Sequence, residues 1–501
     1  MFVRAMLKKI STTWNGAMSY STPDNNKISD GRLSLFFKTT RGIQDDNLIN
    51  YLEKSSEEDL ADTFILSFNT RDCRGGKGER DIGRKMFQWL FENHTSEFAK
   101  IYTLIPEYGR WDDLLCFFPN ASSSTNDEQE KVQKDIVNFF CNQLKKDKEL
   151  MLNGEPISIF AKWAPSERDS DDRKYHFVNT ICQNMNITPK QYRKEYIVPL
   201  RTYLEIVETK MCKNEWSEIN FSKVPSCAML KLKKAFEKHT PENFRIWKDG
   251  LKTGETKVNA KVLFPHEIVK NLRIKGESDD VLEAQWKVLE EEVEKIGCLK
   301  DCVVVVDTSG SMESNNHLPL DIAIAMGLLI SNSIKGPFHN NVITFNTTPE
   351  FVEIIDGNLE KRFNQIRFIP WGGSTDIQKT FDMILEKGKE AELKNEDMPK
   401  RLYIISDMQF NETGGGNTNF DEIDEKYKRS NYTRPEIVFW NVNGLSTDFP
   451  VTTDKNGTCL ISGASPSILK SITKTKELNS YSVLRETLDD KRYQTIREKL
   501  N

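Results

Sequence analysis

The sequence lacks several patterns that would assign it quickly to a known class of site. It contains no CxxC pair, no HExxH motif and no GxxxxGK[ST] loop, so neither a zinc site nor P-loop nucleotide binding is predicted. Its nine cysteines are scattered and odd in number, which indicates a reducing compartment rather than a disulfide framework. No run approaches the roughly 20 apolar residues that a membrane-spanning helix needs. We therefore expect a cytoplasmic protein without a membrane partner.

The sequence also lacks a strong charge of either sign. The net charge is −5, which gives no general attraction to nucleic acid. The charges are nevertheless unevenly divided, because residues 1–300 carry 47 basic and 46 acidic side chains and residues 301–501 carry 23 and 29. A polyanion such as RNA would therefore bind the first part rather than the second.

A helical pattern of apolar residues runs through residues 31–297. Examples are Leu60, Phe64 and Phe68, and further along Val132, Ile136, Phe140 and Leu144. Turn-forming stretches such as DCRGGKGE and APSERDSDD separate these short helices. The pattern predicts an N-terminal α-helical, HEAT-like solenoid of stacked helix pairs. Residues 1–30 lack it and are predicted to form a flexible tail, and whether this tail is a targeting signal stays open.

Residues 298–501 show a different pattern, in which short apolar runs alternate with helical stretches. The runs CVVVV, HNNVITF, RLYIISD and EIVFWNV read as strands. Strand–helix alternation predicts a doubly wound, Rossmann-like parallel sheet with helices on both faces. The fold class is thus α + α/β. Ligands of such sheets collect at the carboxyl ends of the strands.

Oxygen-bearing side chains follow the predicted strands at this edge. The DTSGS loop after CVVVV contributes two serines and an aspartate, and two later loops add a threonine and an aspartate, giving the set Asp307, Ser309, Ser311, Thr375 and Asp407. Asp376 is an additional candidate carboxylate. Carboxylate and hydroxyl oxygens suit Mg²⁺ or Mn²⁺, whereas zinc and copper favour imidazole or thiolate. The alternative is that DTSGS only joins a strand to a helix, with its hydroxyls capping that helix.

This arrangement resembles the metal-ion-dependent adhesion site of a von Willebrand factor A domain. The resemblance implies that Ser309 and Ser311 bind the ion directly and that Thr375 does so directly or through water. It also implies that Asp307 and Asp407 act largely through waters. The ion would then accept a carboxylate from a partner protein. One departure is Met408, which stands where many A domains have glycine.

The first part of the chain resembles the helical region of Ro-type, TROVE-like proteins. The resemblance rests on segments such as KYHFVNTICQNMNITPKQYRKEYIVPLRTYLEIVETKM, NEWSEINFSKVPSCAML and LFPHEIV, followed by STDIQKTFD, ISDMQF and EIVFWNV in the A domain. It is strongest to a branch found in plants, fungi and large DNA viruses. Ro-type proteins form a ring of helical repeats that binds RNA and is closed by the A domain, and the resemblance implies this architecture for residues 31–475.

A basic, glycine-rich stretch offers candidate contacts to structured or single-stranded RNA. The residues are Arg71, Arg74, Lys77, Arg80, Arg84 and Lys85. Such side chains bind phosphates. The alternative is a solvated helix end, in which Asp72, Glu79 and Asp81 pair with several of them.

Together these features predict a non-enzymatic, ribonucleoprotein-type scaffold with a Mg²⁺-dependent, ligand-binding A domain. An alternative is a protein–protein adaptor whose A domain grips an acidic partner residue through the metal, without RNA. A metal-dependent hydrolase is a third option, which the absence of an evident general base disfavours.

Overall fold

The structure is a computed structural model. It describes residues 10–13, 15–20, 30–124, 126–297, 299–344, 349–369, 376–410, 419–446, 448–452 and 455–501. Four of the five metal-site residues expected from the sequence lie within these ranges, namely Asp307, Ser309, Ser311 and Asp407, as does the additional candidate Asp376. Thr375 lies outside them.

Helices form most of the described chain before residue 298. They are Gly31–Lys38, Asp45–Glu58, Leu60–Arg71, Arg80–Asn93, Thr95–Ile101, Ile105–Tyr108, Asp127–Leu152, Phe160–Trp163, Ser170–Tyr175, Phe177–Met185, Pro189–Gln191, Val198–Tyr203, Val207–Cys212, Ser226–His239, Pro241–Thr253, Pro265–Lys275 and Asp280–Glu294. A π-helical turn, Tyr192–Ile197, and a 3-10 helix, Trp111–Phe117, lie among them. The predicted helical N-terminal region is therefore confirmed, and its arrangement as a solenoid stays a prediction.

Strands and helices alternate after residue 298. The helices are Ser314–Ser333, Leu359–Arg367, Ile377–Glu390, Asn419–Arg429, Leu469–Lys474, Ser480–Leu488 and Gln494–Leu500. The strands of the main sheet are β4 (Cys302–Val306), β6 (Asn341–Thr344), β7 (Glu350–Glu353), β8 (Arg401–Ser406), β9 (Glu436–Asn441) and β10 (Thr458–Ser462); β3 (Leu299–Lys300) and β5 (Ile334–Lys335) form a separate pair, as do β1 (Ile10–Thr12) and β2 (Met18–Tyr20).

The main sheet has the order β10-β9-β8-β4-β6-β7, and all of its pairs except β6–β7 are parallel. The sheet is therefore mixed, where the sequence predicts a parallel one. The reason is the connection between β6 and β7, which spans only residues 345–349. A parallel return needs a crossover of a dozen or more residues, whereas an antiparallel hairpin needs few.

Helices cover both faces of the sheet, as the period-2 alternation of a buried strand requires. Val303 and Val305 belong to one buried cluster with residues of the helices Ile377–Glu390 and Asn419–Arg429. Val306 points to the other face and meets the helix Ser314–Ser333, where a Cβ at Gly327 would lie only 2.4 Å from Val306 Cγ2. Glycine at 327 thus permits the close approach of this helix to β4.

Part of the segment predicted as a flexible tail packs against the sheet unit. β1 and β2 pair as an antiparallel hairpin. Thr13 Oγ1 donates a hydrogen bond to the carbonyl of Phe410, and Ala17 is buried in the same cluster as Val303. The hairpin buries small and hydroxyl side chains, which the sequence pattern does not distinguish from a loop.

The chain divides into two compact units whose borders differ from the predicted boundary at residue 298. The sheet unit comprises residues 1–66, 75–79 and 258–492, and the helical unit comprises residues 67–74, 80–257 and 493–501. Helices before residue 298 join the sheet unit because they pack on its elements. In one such contact, Arg273 of the helix Pro265–Lys275 pairs with buried Asp321 at 2.9 Å. Across the described ranges, no helix has the length and apolar character that crossing a bilayer demands.

Candidate metal-binding site

Two neighbouring strands bring the first and last predicted ligands together. Asp307 directly follows β4, and Asp407 directly follows β8. The parallel register pairs Val306 with Ile405, so Asp307 and Ser406 come next in line. The backbone N–H of Asp307 donates to the carbonyl of Ile405 at 3.1 Å, which continues the ladder to the sheet edge. The topology therefore places both carboxylates at one edge, as the sequence predicts.

The carboxylate of Asp307 is held by hydrogen bonds from Ser309 and Ser406. Its Oδ1 accepts from the backbone N–H of Ser309 at 2.9 Å, and its Oδ2 accepts from Ser406 Oγ at 2.5 Å. Ser309 Oγ lies 3.1 Å from Ser311 Oγ. The two serines that alternate in the DTSGS loop therefore present their hydroxyls side by side.

The alternative role of these hydroxyls, capping the following helix, does not fit the geometry. Ser309 precedes the 3-10 helix Gly310–Glu313, and its side chain makes no capping hydrogen bond. Its hydroxyl instead faces Ser311, and Ser311 in turn hydrogen-bonds the carboxylate of Asp407. The hydroxyls are thus directed at one another and at a carboxylate rather than at helical N–H groups.

The loop after Asp407 accommodates a methionine in a backbone conformation that favours glycine. Met408 adopts a left-handed conformation with φ of 66°. This conformation is uncommon for a residue with a side chain. Its side chain is buried in the apolar cluster beneath the sheet, and its backbone N–H donates to Ser406 Oγ at 3.0 Å. Burial and this hydrogen bond compensate for the backbone strain, so the loop keeps the turn that glycine would provide.

Both carboxylates are buried and close enough to repel each other. Burial raises the pKa of Asp407 to about 7, with repulsion from Asp307 as the second cause. Burial also raises the pKa of Asp307. In the described part of the chain, neither aspartate forms an ion pair with a Lys, Arg or His side chain. Two buried carboxylates beside two hydroxyls are a donor set that fits a hard divalent cation.

Of the two remaining predicted ligands, only Asp376 is described, and it serves as a helix cap. Thr375 lies outside the described residues. Asp376 is the N-cap of the helix Ile377–Glu390: its Oδ1 accepts from the backbone N–H of Lys379 at 3.1 Å, and its Oδ2 lies 3.7 Å from Lys379 Nζ. No group of three or more His, Cys, Asp or Glu side chains able to hold a metal occurs among the described residues. The site at Asp307 is not a cluster of this kind, because two of its four candidate ligands, Ser309 and Ser311, would bind through hydroxyl oxygens.

Ser406 is a site residue that the sequence reasoning missed. Its hydroxyl donates to Asp307 and accepts from the Met408 N–H, so it joins the two loops that carry the carboxylates. A hydroxyl residue immediately before an aspartate at a strand end was the available signal. The strand pattern alone does not show which face of the sheet the Ser406 side chain lies on, and therefore does not show that it contacts Asp307.

The structure contradicts the predicted RNA contacts of Arg71 and Lys77. Arg71 is only 3% exposed and binds buried Asp113 at 2.7 Å. Lys77 is likewise 3% exposed, and its ammonium binds main-chain carbonyls. Buried, paired cations cannot reach a phosphate without unfolding their surroundings.

The other four predicted contacts are more accessible. Arg84 is half-buried and pairs with Asp113 at 2.6 Å. Arg74, Arg80 and Lys85 are exposed. The turn-forming glycines and charges of this stretch gave no indication of which cations would be buried.

Lys77 leads to a prediction for the pH dependence of stability. Its Nζ donates to the carbonyls of Phe36 and Thr39 and to Ser462 Oγ, and burial lowers the pKa of Lys77 to about 7 from 10.5. Between these values the unfolded chain binds more protons than the folded one, so the free energy of unfolding should rise with pH. Between pH 7 and pH 9, the free energy of unfolding of the wild type should rise by up to ~1.4 kcal/mol per pH unit relative to that of Lys77→Met.

Urea denaturation across this pH range measures the difference, and comparison with the variant cancels the titration of cysteines and tyrosines. Lys234→Met, at an exposed lysine, should give a curve parallel to that of the wild type. Parallel curves for the wild type and Lys77→Met would contradict the assignment of this titration to Lys77.

Comparison with known proteins finds two matching family models and a viral relative. Residues 301–501 match the family described as "Domain of unknown function (DUF7788)", and residues 121–299 match "Domain of unknown function (DUF2828)". The "Uncharacterized protein L728" of Acanthamoeba polyphaga mimivirus is 32% identical over 511 residues, which cover 96% of this chain and 88% of the viral protein. Similarity of this extent includes both the helical part and the part that carries Asp307 and Asp407. The chain therefore belongs to the same family as this mimivirus protein.

Proposed function

We propose that the protein is a non-enzymatic binding protein whose sheet unit recognises an acidic partner residue through a divalent cation, Mg²⁺ or Mn²⁺. One observation carries the proposal: Asp307 and Asp407, both buried, meet the hydroxyls of Ser309 and Ser311 at one sheet edge without a cationic side chain paired to them in the described chain. The resemblance to a von Willebrand factor A domain points the same way.

The serines and the aspartates of this site would bind the ion in different ways. Ser309 and Ser311 would bind the ion directly, and the two aspartates would hold it through waters or hydrogen bonds. A bound cation would supply an electron-poor position that accepts a carboxylate of the partner. Gly310 is exposed and Ser311 is partly exposed, so this side of the loop is open to a partner.

Binding is proposed rather than hydrolysis because of what surrounds the two aspartates. Their described hydrogen-bond partners are serine hydroxyls and backbone N–H groups. In the described chain, no His side chain pairs with either aspartate and no Lys or Arg is placed beside them to hold a phosphate, which is the support that hydrolysis would need.

The test is recovery of partners in the presence and absence of the cation. Tagged wild-type protein is crosslinked in cells and captured with Mg²⁺ or with EDTA, and both protein and RNA are analysed. We expect proteins that are released by EDTA and absent from Ser309→Ala captures. Ser217→Ala, at an exposed serine of the helical unit, is the matched control and should behave as wild type. Recovery that is insensitive to EDTA and to Ser309→Ala would refute the metal-dependent function.

RNA binding by the helical unit is a second candidate, favoured by the distribution of charge. The helical unit carries 33 basic and 28 acidic side chains (net +5), whereas the sheet unit carries 37 and 47 (net −10). The structural division thus separates the charges more sharply than the linear boundary does. Arg74, Arg80 and Lys85 remain exposed in the basic unit. This supports a scaffold of the Ro kind, with fewer phosphate contacts than the sequence predicts.

The same capture experiment separates the two candidates. If RNA is bound, its recovery should fall steeply with added salt and with the triple variant Arg74→Gln, Arg80→Gln, Lys85→Gln, because each phosphate contact releases counterions. Recovery of RNA at wild-type levels by the triple variant would contradict these contacts.

A further inference from the structure

The helical unit contains an apolar cavity that is independent of the metal site. Its volume is about 210 Å³, which is room for about seven water-sized groups. Six of its eleven lining residues are apolar, namely Ile159, Leu204, Ile206, Val207, Ile219 and Pro225. Ile159 at its mouth is 50% exposed, and Tyr203 beside Leu204 is 40% exposed. Exposed apolar side chains around an apolar cavity are typical of ligand sites.

The rim of this cavity carries more positive than negative charge. Three lysines and one glutamate contribute to the lining, namely Lys162, Lys210, Lys223 and Glu205. Glu205 is shared by two of the lysines: its carboxylate oxygens lie 3.6 Å from Lys210 Nζ and 3.2 Å from Lys223 Nζ. The side chain of Lys162 has neither a hydrogen bond nor an ion pair in the described chain, and its ammonium lies 5.5 Å from the centre of the Trp163 ring. Of the three lysines that line the cavity, Lys162 is therefore the one whose ammonium has no carboxylate partner in the described chain.

The walls of the cavity are held in place by local backbone features. Pro199 has no N–H to donate, and the π-helical turn Tyr192–Ile197 immediately precedes the helix that contains it. That helix ends at Tyr203, and Glu205 then adopts a φ of 50°, which turns the chain into the wall residues Ile206 and Val207. The Lys210 ammonium donates to the carbonyl of Glu218 at 2.8 Å, which links the helix Val207–Cys212 to the 3-10 helix Trp216–Glu218.

We propose that this cavity binds a small amphipathic carboxylate, with its aliphatic chain inside and its carboxylate at Lys162. The apolar lining selects the chain, the volume limits it to about eight carbons, and the unpaired ammonium selects the acid over a neutral or cationic head group. The site lies within the helical unit and goes beyond the proposed metal-dependent function, so either can fail without the other.

The experiment is isothermal titration of the full chain with three ligands of equal chain length: octanoate, 1-octanol and octylammonium. We expect octanoate to bind with a Kd of about 1 mM or lower, 1-octanol about tenfold more weakly, and octylammonium more weakly still. Ile159→Trp, at the exposed mouth, should reduce octanoate affinity by about tenfold because the indole occupies the opening. Lys162→Gln should remove the preference for octanoate over 1-octanol while leaving the binding of 1-octanol unchanged.

Lys234→Gln is the matched control, because Lys234 is an exposed lysine of the same unit that does not line the cavity. It should bind all three ligands as the wild type does. Absence of octanoate binding at about 5 mM would overturn the proposal. So would equal affinity for the three ligands, or equal effects of Lys162→Gln and Lys234→Gln. Circular dichroism of each variant verifies that it is folded before titration.

Discussion

Asp407→Asn should raise the melting temperature of the protein in EDTA and abolish its stabilisation by Mg²⁺. The substitution keeps the side-chain shape, so the hydrogen bond that Asp407 Oδ1 accepts from the Gln409 N–H at 3.2 Å is retained. It removes one of two buried, mutually repelling carboxylates, which should increase the free energy of unfolding of the metal-free protein by about 1–3 kcal/mol. It also removes charge that a cation requires, so the response to Mg²⁺ should be lost.

Differential scanning fluorimetry with EDTA, Mg²⁺ or Mn²⁺ measures both effects. For the wild type, free Mg²⁺ at 100 times its Kd should increase the free energy of unfolding by about 2.7 kcal/mol, because the ion binds only the folded state. Asp397→Asn, at an exposed aspartate outside the site, should respond to Mg²⁺ as the wild type does. Equal stabilisation of wild type and Asp407→Asn would exclude Asp407 from the site. No response of the wild type would remove the basis of the metal-dependent function.

Asp113→Asn should be among the most destabilising single changes in the helical unit. Asp113 is fully buried, and its carboxylate binds Arg71 at 2.7 Å and Arg84 at 2.6 Å. The same carboxylate accepts the backbone N–H of Arg110 at 2.8 Å. Neutralising it leaves the buried guanidinium of Arg71 without its counterion, and such a loss costs about 3–5 kcal/mol of the free energy of unfolding.

The adjacent residue provides a matched control for this prediction. Asp112 also pairs with arginines, but its side chain is 17% exposed and solvent screens the pairs that it makes with Arg84 and Arg110. Asp112→Asn should therefore cost about 1 kcal/mol or less. Thermal and urea denaturation followed by circular dichroism compare the two variants. Equal losses for Asp112→Asn and Asp113→Asn would show that burial does not decide the strength of this network.

The carboxylates of the candidate site could be predicted from the sequence because strand ends fix where they lie. CVVVV and RLYIISD each end in an aspartate, and the parallel pairing of β4 with β8 brings these ends together. Ser309 and Ser311 follow from the same loop. The sequence shows Ser406 directly before Asp407 but not its role, because that role depends on a hydrogen bond to Asp307, which lies 99 residues away in the chain.

Which residues of the basic stretch are buried could not be predicted, because the charge of a residue does not show whether it is buried. Arg71 and Arg80 are the same type of residue, so their identity does not distinguish them. In the folded unit, Arg71 is buried against Asp113, whereas the side chain of Arg80 is 49% exposed, with Asp112 at 3.9 Å. The partner of Arg71 lies 42 residues away, beyond any local pattern.

The sequence by itself determined the kinds of element and the chemistry of the sheet edge, because apolar periodicity and strand-end residues are local properties. Tertiary structure decided which helices join the sheet, which cations are buried and where an apolar cavity meets an unpaired lysine. These outcomes depend on contacts between residues far apart in the chain, such as Arg273 with Asp321 or Lys77 with Ser462. Such contacts form because side-chain shapes fit together and because leaving a buried polar group unpaired is costly. Neither property can be read from a local stretch of sequence.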